Sequence, residues 1–504
     1  MRSLVAFLLL TPFAVAQAPP TTAPVRPAPV QPAPPRAQPP ASPVIRSLVP
    51  PVKDGKVTYT LELSAASAPK LLSVYYLEAG YGEKQPGEKL GGFLKCFMEQ
   101  DRFYNQENQT KREVWLSTPL DELPADVREQ AGVNRGLAYS PNHATMMVFA
   151  DQAARYTRTE WNEYFNLRHD GITFLLPEVQ KLRAVAVAVK LRMRGEVKAG
   201  EFDKAVASAR TLFGLARMLE THPTLIGNLV GLAVANMAVD CLQEIVARPG
   251  CPNLYWSFAD LPVPFLSIRD GLGGERVFIR GEFEKYIPSN RAMSEKELTD
   301  AIQAVTGWIA GEKPSAWEGA GVGMRFAALS TDAKRIDAVR ERLTKAGTPA
   351  DVVKAMPKLQ LVMLEDLHRY EVLRDELFKW MNRPHLEALA GLKETDKLVQ
   401  DEKKAGWVLG PLFVPMVSKV KYAQVKIDQR LAALRVIEAV RLYAHENGGK
   451  LPEKLADLKV PEPLDPVSGK SFTYSVKDGV ATISGVNPTG LESDNRVYEL
   501  KLRK

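Results

Sequence analysis

The residues best placed to do chemistry lie between Glu160 and Asp170. Glu160, Trp161, Glu163 and Tyr164 fall on one aromatic-rich stretch of helical character that runs into His169-Asp170. Carboxylates beside an imidazole could serve as general acid and base, and the neighbouring rings could stack on a sugar, which is the equipment of a polysaccharide hydrolase. Carboxylates one helical turn apart also occur on any solvated helix, so the pattern alone assigns no role. Other chemistries fail on spacing. His445-Glu446 lacks a second His four residues after the first, so it is not a zinc-protease helix. No Gly-x-Ser-x-Gly, phosphate loop or dinucleotide fingerprint occurs, and the GLGGE run at Gly271 lacks the strand and spacing that would make it one. His368 and His385 stand isolated and read as ordinary helix residues. No residue therefore receives a catalytic, cofactor-binding or metal-ligating role, and no cofactor is implied.

The chain that would position such residues has 504 of them, 45% hydrophobic and 25% charged, an ordinary globular composition with room for two or three domains. Residues 1–18, MRSLVAFLLLTPFAVAQA, combine Arg2 with an apolar run from Leu4 to Leu10 and small residues at Ala14, Ala16 and Ala18, the pattern of a secretory signal peptide. That run is well short of the ~20 residues of a membrane span, and Pro12 interrupts it. The Pro-rich stretch at 19–51 favours extended polyproline II and reads as a disordered spacer. Export to the periplasm or beyond the cell is expected. The net charge of +7 is spread along the chain without a basic stripe, which points away from nucleic acid. Three cysteines, Cys96, Cys241 and Cys251, allow at most one internal bridge; Cys241 with Cys251, across the Arg248-Pro249-Gly250 break, and three buried free thiols are both open readings.

Residues 52–125 read as a mixed N-terminal segment. Val57, Tyr59, Leu61 and Leu63 alternate with polar residues as in a half-buried strand, and a Gly-punctuated region follows from Ala79 to Gly92. Residues 126–425 read as a helical body. Phe202, Ala205, Ala209, Leu212, Phe213, Ala216 and Leu219 recur at spacings of three and four, and Gly200 separates this helix from the one before. The turn resembles that of tetratricopeptide-type hairpins, but no 34-residue repeat accompanies it. The apolar run from His222 to Val246 is interrupted by Asn228, Asn236 and Asp240, so a helix buried in protein is expected and no membrane span in the mature chain. Tyr255, Trp256, Phe258 and Phe265 read as core. Pro411 and Pro415 argue against a straight membrane-spanning helix in AGWVLGPLFVPMVSKV, which reads as a buried connection into the last domain.

Residues 426–504 read as a small α+β module. Ile427, Leu431, Leu434, Ile437, Val440 and Tyr443 give a helix with one apolar stripe, which Asn447-Gly448-Gly449 should end. Phe472, Tyr474 and Val476 alternate as a strand, Asp478-Gly479 makes a hairpin turn, Val480 to Ser484 returns, and Val497 to Leu502 alternates again. The run ALRVIEAVRLYAHENGGKLPEKLADL, followed by PLDPVSGKSFTYSV, resembles the globular part of type II secretion major pseudopilins. That resemblance implies a long helix packed on antiparallel strands and a link to secretion machinery. In that family the loop before the last strand can hold calcium; the corresponding loop here offers Asn487, Glu492 and Asp494, and with only two carboxylates calcium is not expected. The Gly-Glu-Phe-Asp-Lys-Ala hairpin, the His-Pro-Thr-Leu-Ile helix and the Pro-Asn-Leu-Tyr-Trp-Ser segment, together with this module, also resemble a group of secreted planctomycete-type bacterial proteins. This second resemblance implies an exported helical architecture and carries no activity.

The expectation is therefore a mainly α protein: a multi-helix body with helical hairpins, plus a C-terminal module of one long helix on antiparallel strands. Its expected role is that of an exported, non-catalytic binding or scaffold protein with an envelope or secreted protein as partner. A polysaccharide-directed hydrolase and a pseudopilin-related secretion component are the alternatives.

Overall fold

The computed structural model describes residues 50–97, 111, 112, 114–116, 118–130, 145–161, 177–310 and 316–503. The expected signal peptide and nearly all of the expected spacer lie outside them. The helices among the described residues are α1 (Lys89–Leu94), α2 (Ala125–Gln130), α3 (Thr145–Arg155), α4 (Pro177–Ala199), α5 (Phe202–Glu220), α6 (Leu225–Val246), α7 (Tyr255–Ala259) and α8 (Arg269–Tyr286), followed by α9 (Glu295–Ala310), α10 (Ala316–Leu329), α11 (Ala333–Lys345), α12 (Ala350–Ala355), α13 (Lys358–Met381), α14 (His385–Lys404) and α15 (Leu409–Glu446). The protein is mainly α with a small C-terminal sheet, as the apolar periodicities imply.

Helices α4, α5 and α6 pack on one another at the centre of the body. Every residue of α4 from Ala184 to Val197 is buried, so this helix has no solvated face. Gly200, with φ 75°, ends α4 and turns the chain into α5. Thr224 caps α6, its Oγ1 accepting the Gly227 N–H at 3.1 Å. Among the described residues α6 is the one helix long and apolar enough to cross a membrane, and 67% of its most apolar window is buried inside the protein. Its polar residues find partners there. Asn228 Nδ2 donates to the carbonyls of Leu219, Glu220 and His222, while Asn236 and Asp240 accept from Arg430 of α15.

The connection carrying two prolines is partly buried and helical: α15 runs without a break from Leu409 through Pro415 to Glu446, with Leu409, Phe413 and Val414 buried. Pro411 sits in the first turn, where a missing N–H costs nothing. Pro415 is internal, and Ser418 Oγ donates to its carbonyl at 3.0 Å. Asn447, Gly448 and Gly449 end the helix, the two glycines at φ 64° and 80°.

The strands are β1 (Val52–Lys53), β2 (Lys56–Leu63), β3 (Gln85–Glu88), β4 (Tyr156–Arg158), β5 (Thr473–Lys477), β6 (Val480–Ser484) and β7 (Arg496–Leu502). Five of them form one sheet in the order β1-β2-β7-β6-β5. β5, β6 and β7 are antiparallel, but β2 joins them from the N-terminal segment and runs parallel to β7, with Tyr59 beside Tyr498, Leu61 beside Leu500 and Leu63 beside Leu502. These inward residues and Ile427, Leu431, Leu434, Ile437 and Val440 of α15 belong to one continuous core.

The Asp-Pro-x-Ser-Gly-Lys stretch before β5 is organised by Asp465. Its buried carboxylate accepts from Gln429 Nε2, Ser468 Oγ and the N–H groups of Val467 and Val486, at 2.9 to 3.1 Å. One side chain thus ties the loop, the β6 exit and α15 together.

Candidate functional site

The cluster that would make a hydrolase is only partly described. Glu160 is exposed, 3.8 Å from Arg158, and its N–H donates to Glu88 Oε1 at 3.3 Å. Trp161 is buried, with Nε1 donating to Thr221 Oγ1 at 3.0 Å and its ring edge-on to His222. Glu163, Tyr164, His169 and Asp170 lie outside the described residues. His385 is buried at the start of α14, edge-on to Tyr422, and His368 lies on α13 with its pKa lowered by desolvation.

Gly271 and Gly274 of GLGGE serve packing. A Cβ on Gly271 would lie 2.1 Å from Asn228 Oδ1, and one on Gly274 1.7 Å from the Pro223 carbonyl, so α8 can approach the start of α6 only without side chains there. In the loop before β7, Asp494 accepts from Lys426 Nζ at 3.2 Å and from Thr489 Oγ1 at 2.7 Å, and Asn487 Oδ1 accepts the N–H groups of Thr489 and Gly490. The cation beside that carboxylate is therefore the protein's own ammonium. Among the described residues no three His, Cys, Asp or Glu side chains gather as metal ligands.

The reading of Cys241 and Cys251 as a bridge is corrected: both are buried free thiols. Cys241 faces the Lys190 side of α6, whereas Cys251 is turned to α15, where Arg441 Nη2 takes its carbonyl at 2.8 Å. Burial pushes both thiols up to about 12. Of the four aromatics read as core, Tyr255, Phe258 and Phe265 are buried, while Trp256 stays partly exposed beside Tyr255.

The feature that sequence reasoning missed begins on α5. Asp203, Arg210 and Arg217 are spaced seven residues apart, two turns each, so they form one stripe. That stripe grips residues 74–83. Tyr75 is bonded to Asp203, and desolvation with that bond pushes its hydroxyl up to about 12. Arg210 is buried and donates to the Val74 carbonyl at 3.2 Å, the Tyr76 carbonyl at 2.8 Å and Glu83 Oε1 at 2.8 Å. Glu83 in turn accepts the Gly80 N–H at 3.0 Å. Arg217 Nε donates to Glu78 Oε1 at 2.6 Å. Leu77, fully buried, pins the middle of the segment into the core.

Held this way, the segment turns large apolar side chains outward: Tyr81 is 95% exposed, Leu71 70% and Val74 42%. Six hydrogen bonds or ion pairs from one helix face fix a loop that buries Leu77 yet leaves Leu71, Val74 and Tyr81 in solvent. Such an arrangement can present a preformed contact surface at little ordering cost. The signal available in the sequence was the seven-residue spacing of charges on an otherwise apolar helix.

Further ion pairs lie inside the body. Lys190 Nζ donates to Asp240 Oδ2 at 2.9 Å, Arg430 donates to Asp240 Oδ1 at 2.7 Å, and these two cations hold the Asp240 carboxyl down at about 2 against the effect of burial. Arg192 forks onto Asp151 at 2.9 and 2.7 Å. Glu438 and Arg441, fully buried on α15, pair at 2.8 Å, and Arg441 also takes the Ser64 carbonyl at 3.0 Å. These pairs lock elements together, with Arg192 Nε and Arg430 Nε left without hydrogen-bond partners. Between α15 and the sheet, Gln429, Arg430, Ala433, Phe472, Arg496 and Tyr498 line a small mixed recess of about 10 Å³.

No protein-family model, curated protein or solved structure matches the chain.

Proposed function

We propose that the chain is an exported, non-catalytic binding or scaffold protein of the cell envelope, and that residues 71–81 carry its contact surface. The observation that supports this reading is the combination of Tyr81 and Leu71 in solvent with the α5 stripe that fixes their backbone. An exposed tyrosine on a rigid loop offers large apolar area and a hydroxyl at low entropic cost, the profile of an interface anchor.

The test is affinity capture from cell-envelope extract with the mature chain, beside a Leu71→Ser/Tyr81→Ser variant of unchanged melting temperature. A partner retained by the wild type and lost with the variant supports the reading. Equal retention by both, or none by either, contradicts it. The pseudopilin-like module supports a second reading, a component docked to secretion machinery; that reading requires the captured partner to belong to such machinery.

A further inference from the structure

β5 ends the sheet on one side, and four of its five residues are exposed. The turn at Asp478-Gly479, with φ 51° and 77°, makes Lys477 and Val480 a hydrogen-bonded pair. Alternation along the ladder gives Ser475 and Thr473 the same role and turns the N–H and C=O groups of Tyr474 and Val476 outward. Val476 lies on the sheet face that carries the buried Phe472, Ala481 and Ile483, yet it is 40% exposed because the apolar row stops at this edge. The opposite edge is the two-residue β1, too short to template a partner.

We propose that β5 pairs antiparallel with β5 of a second copy, about a two-fold axis through Ser475. In that register Tyr474 of each copy faces Val476 of the other. Each outward N–H then meets an outward C=O, and an aromatic ring lies across from a β-branched side chain on the same face. Charge fits the same register. Lys477 of one copy meets Thr473 of the other, and the two Lys477 are held about 13 Å apart along the strands. A strand whose hydrogen-bond and side-chain patterns both complement themselves specifies its own copy as partner. Five residues a side bury less than a standard interface, so the dimer is weak and concentration-dependent. This contact is separate from residues 71–81 and does not depend on their role.

Sedimentation of the mature chain at rising concentration is expected to show its mass move toward twice the monomer's. Val476→Pro removes one outward N–H and leaves the ladder bonds of Thr473, Ser475 and Lys477 in place, so it should abolish that shift. Val476→Lys keeps the backbone donor and puts a charge where Tyr474 of the partner would pack; it should weaken the dimer at least tenfold. Melting curves establish which variants fold, and either folded variant suffices. A monomer up to about 1 mM, or a dimer that survives in a folded variant, overturns the proposal.

Discussion

Arg210 shows how one side chain can shape a surface it never reaches. Its guanidinium satisfies two carbonyls and a carboxylate of a segment more than a hundred residues away in sequence. Arg210→Ala leaves those acceptors on a half-buried loop without donors, which should cost about 2 kcal/mol. A fall in the denaturant midpoint, together with new protease cleavage confined to residues 71–83, would be the result. Arg210→Lys should recover only part of the loss, since a single ammonium nitrogen cannot reproduce the spread of donors that the planar guanidinium offers. Intact protease resistance in Arg210→Ala would show that Leu77, Arg217 and Asp203 hold the segment without it.

At the scale of elements, α15 spans the joint between helical body and sheet despite carrying a proline in its interior. Pro415→Ala restores an N–H that can bond back along the helix, so the melting temperature should rise; a fall would mean that Pro415 shapes the packing of α15 rather than straining it. Elements with local signals were legible in the sequence. Asn447-Gly448-Gly449 marked a helix end and Asp478-Gly479 a hairpin, because both demand positive φ. The alternation of β2 was equally plain, yet nothing local could reveal its parallel partner: Thr60 Oγ1 donates to Glu499 Oε2 across 439 residues. The two prolines left open that the connection is a continuous helix, which α15 is. The candidate surface was hidden for the opposite reason, since residues 71–81 have no periodicity and their order is supplied by α5.

The whole molecule encloses carboxylates of two kinds, and they set its response to pH. Burial outweighs the Val408 and Leu409 N–H groups at Asp366 and raises its carboxyl to about 7; burial likewise lifts Glu275 to about 7 and Asp428 to about 6. Between pH ~4, where these groups ionise in the unfolded chain, and their raised values, the native state binds more protons, so stability falls as pH rises through this window. His222, lowered to about 4 by burial, opposes this with one proton from pH 6.5 down, and Asp240, held at about 2, withdraws its contribution only below pH ~4. The melting temperature should therefore peak near pH ~4 and decline toward pH ~7.5. Asp366→Asn keeps an acceptor for both N–H groups and should stabilise the protein at pH ~7.5 but hardly at pH ~4. A stability that climbs steadily from pH ~5 to ~7.5 would show that these carboxylates ionise without penalty.

The account as a whole rests on residues 71–81 being where this protein meets another. The most direct measurement is the affinity of the captured partner, purified, for the wild-type chain and for the folded Leu71→Ser/Tyr81→Ser variant. Binding weakened tenfold or more, about 1.4 kcal/mol or above, is the result expected of lost anchor residues. Equal affinity for the two proteins would place the contact elsewhere and remove the reason for the α5 stripe to hold that loop in solvent.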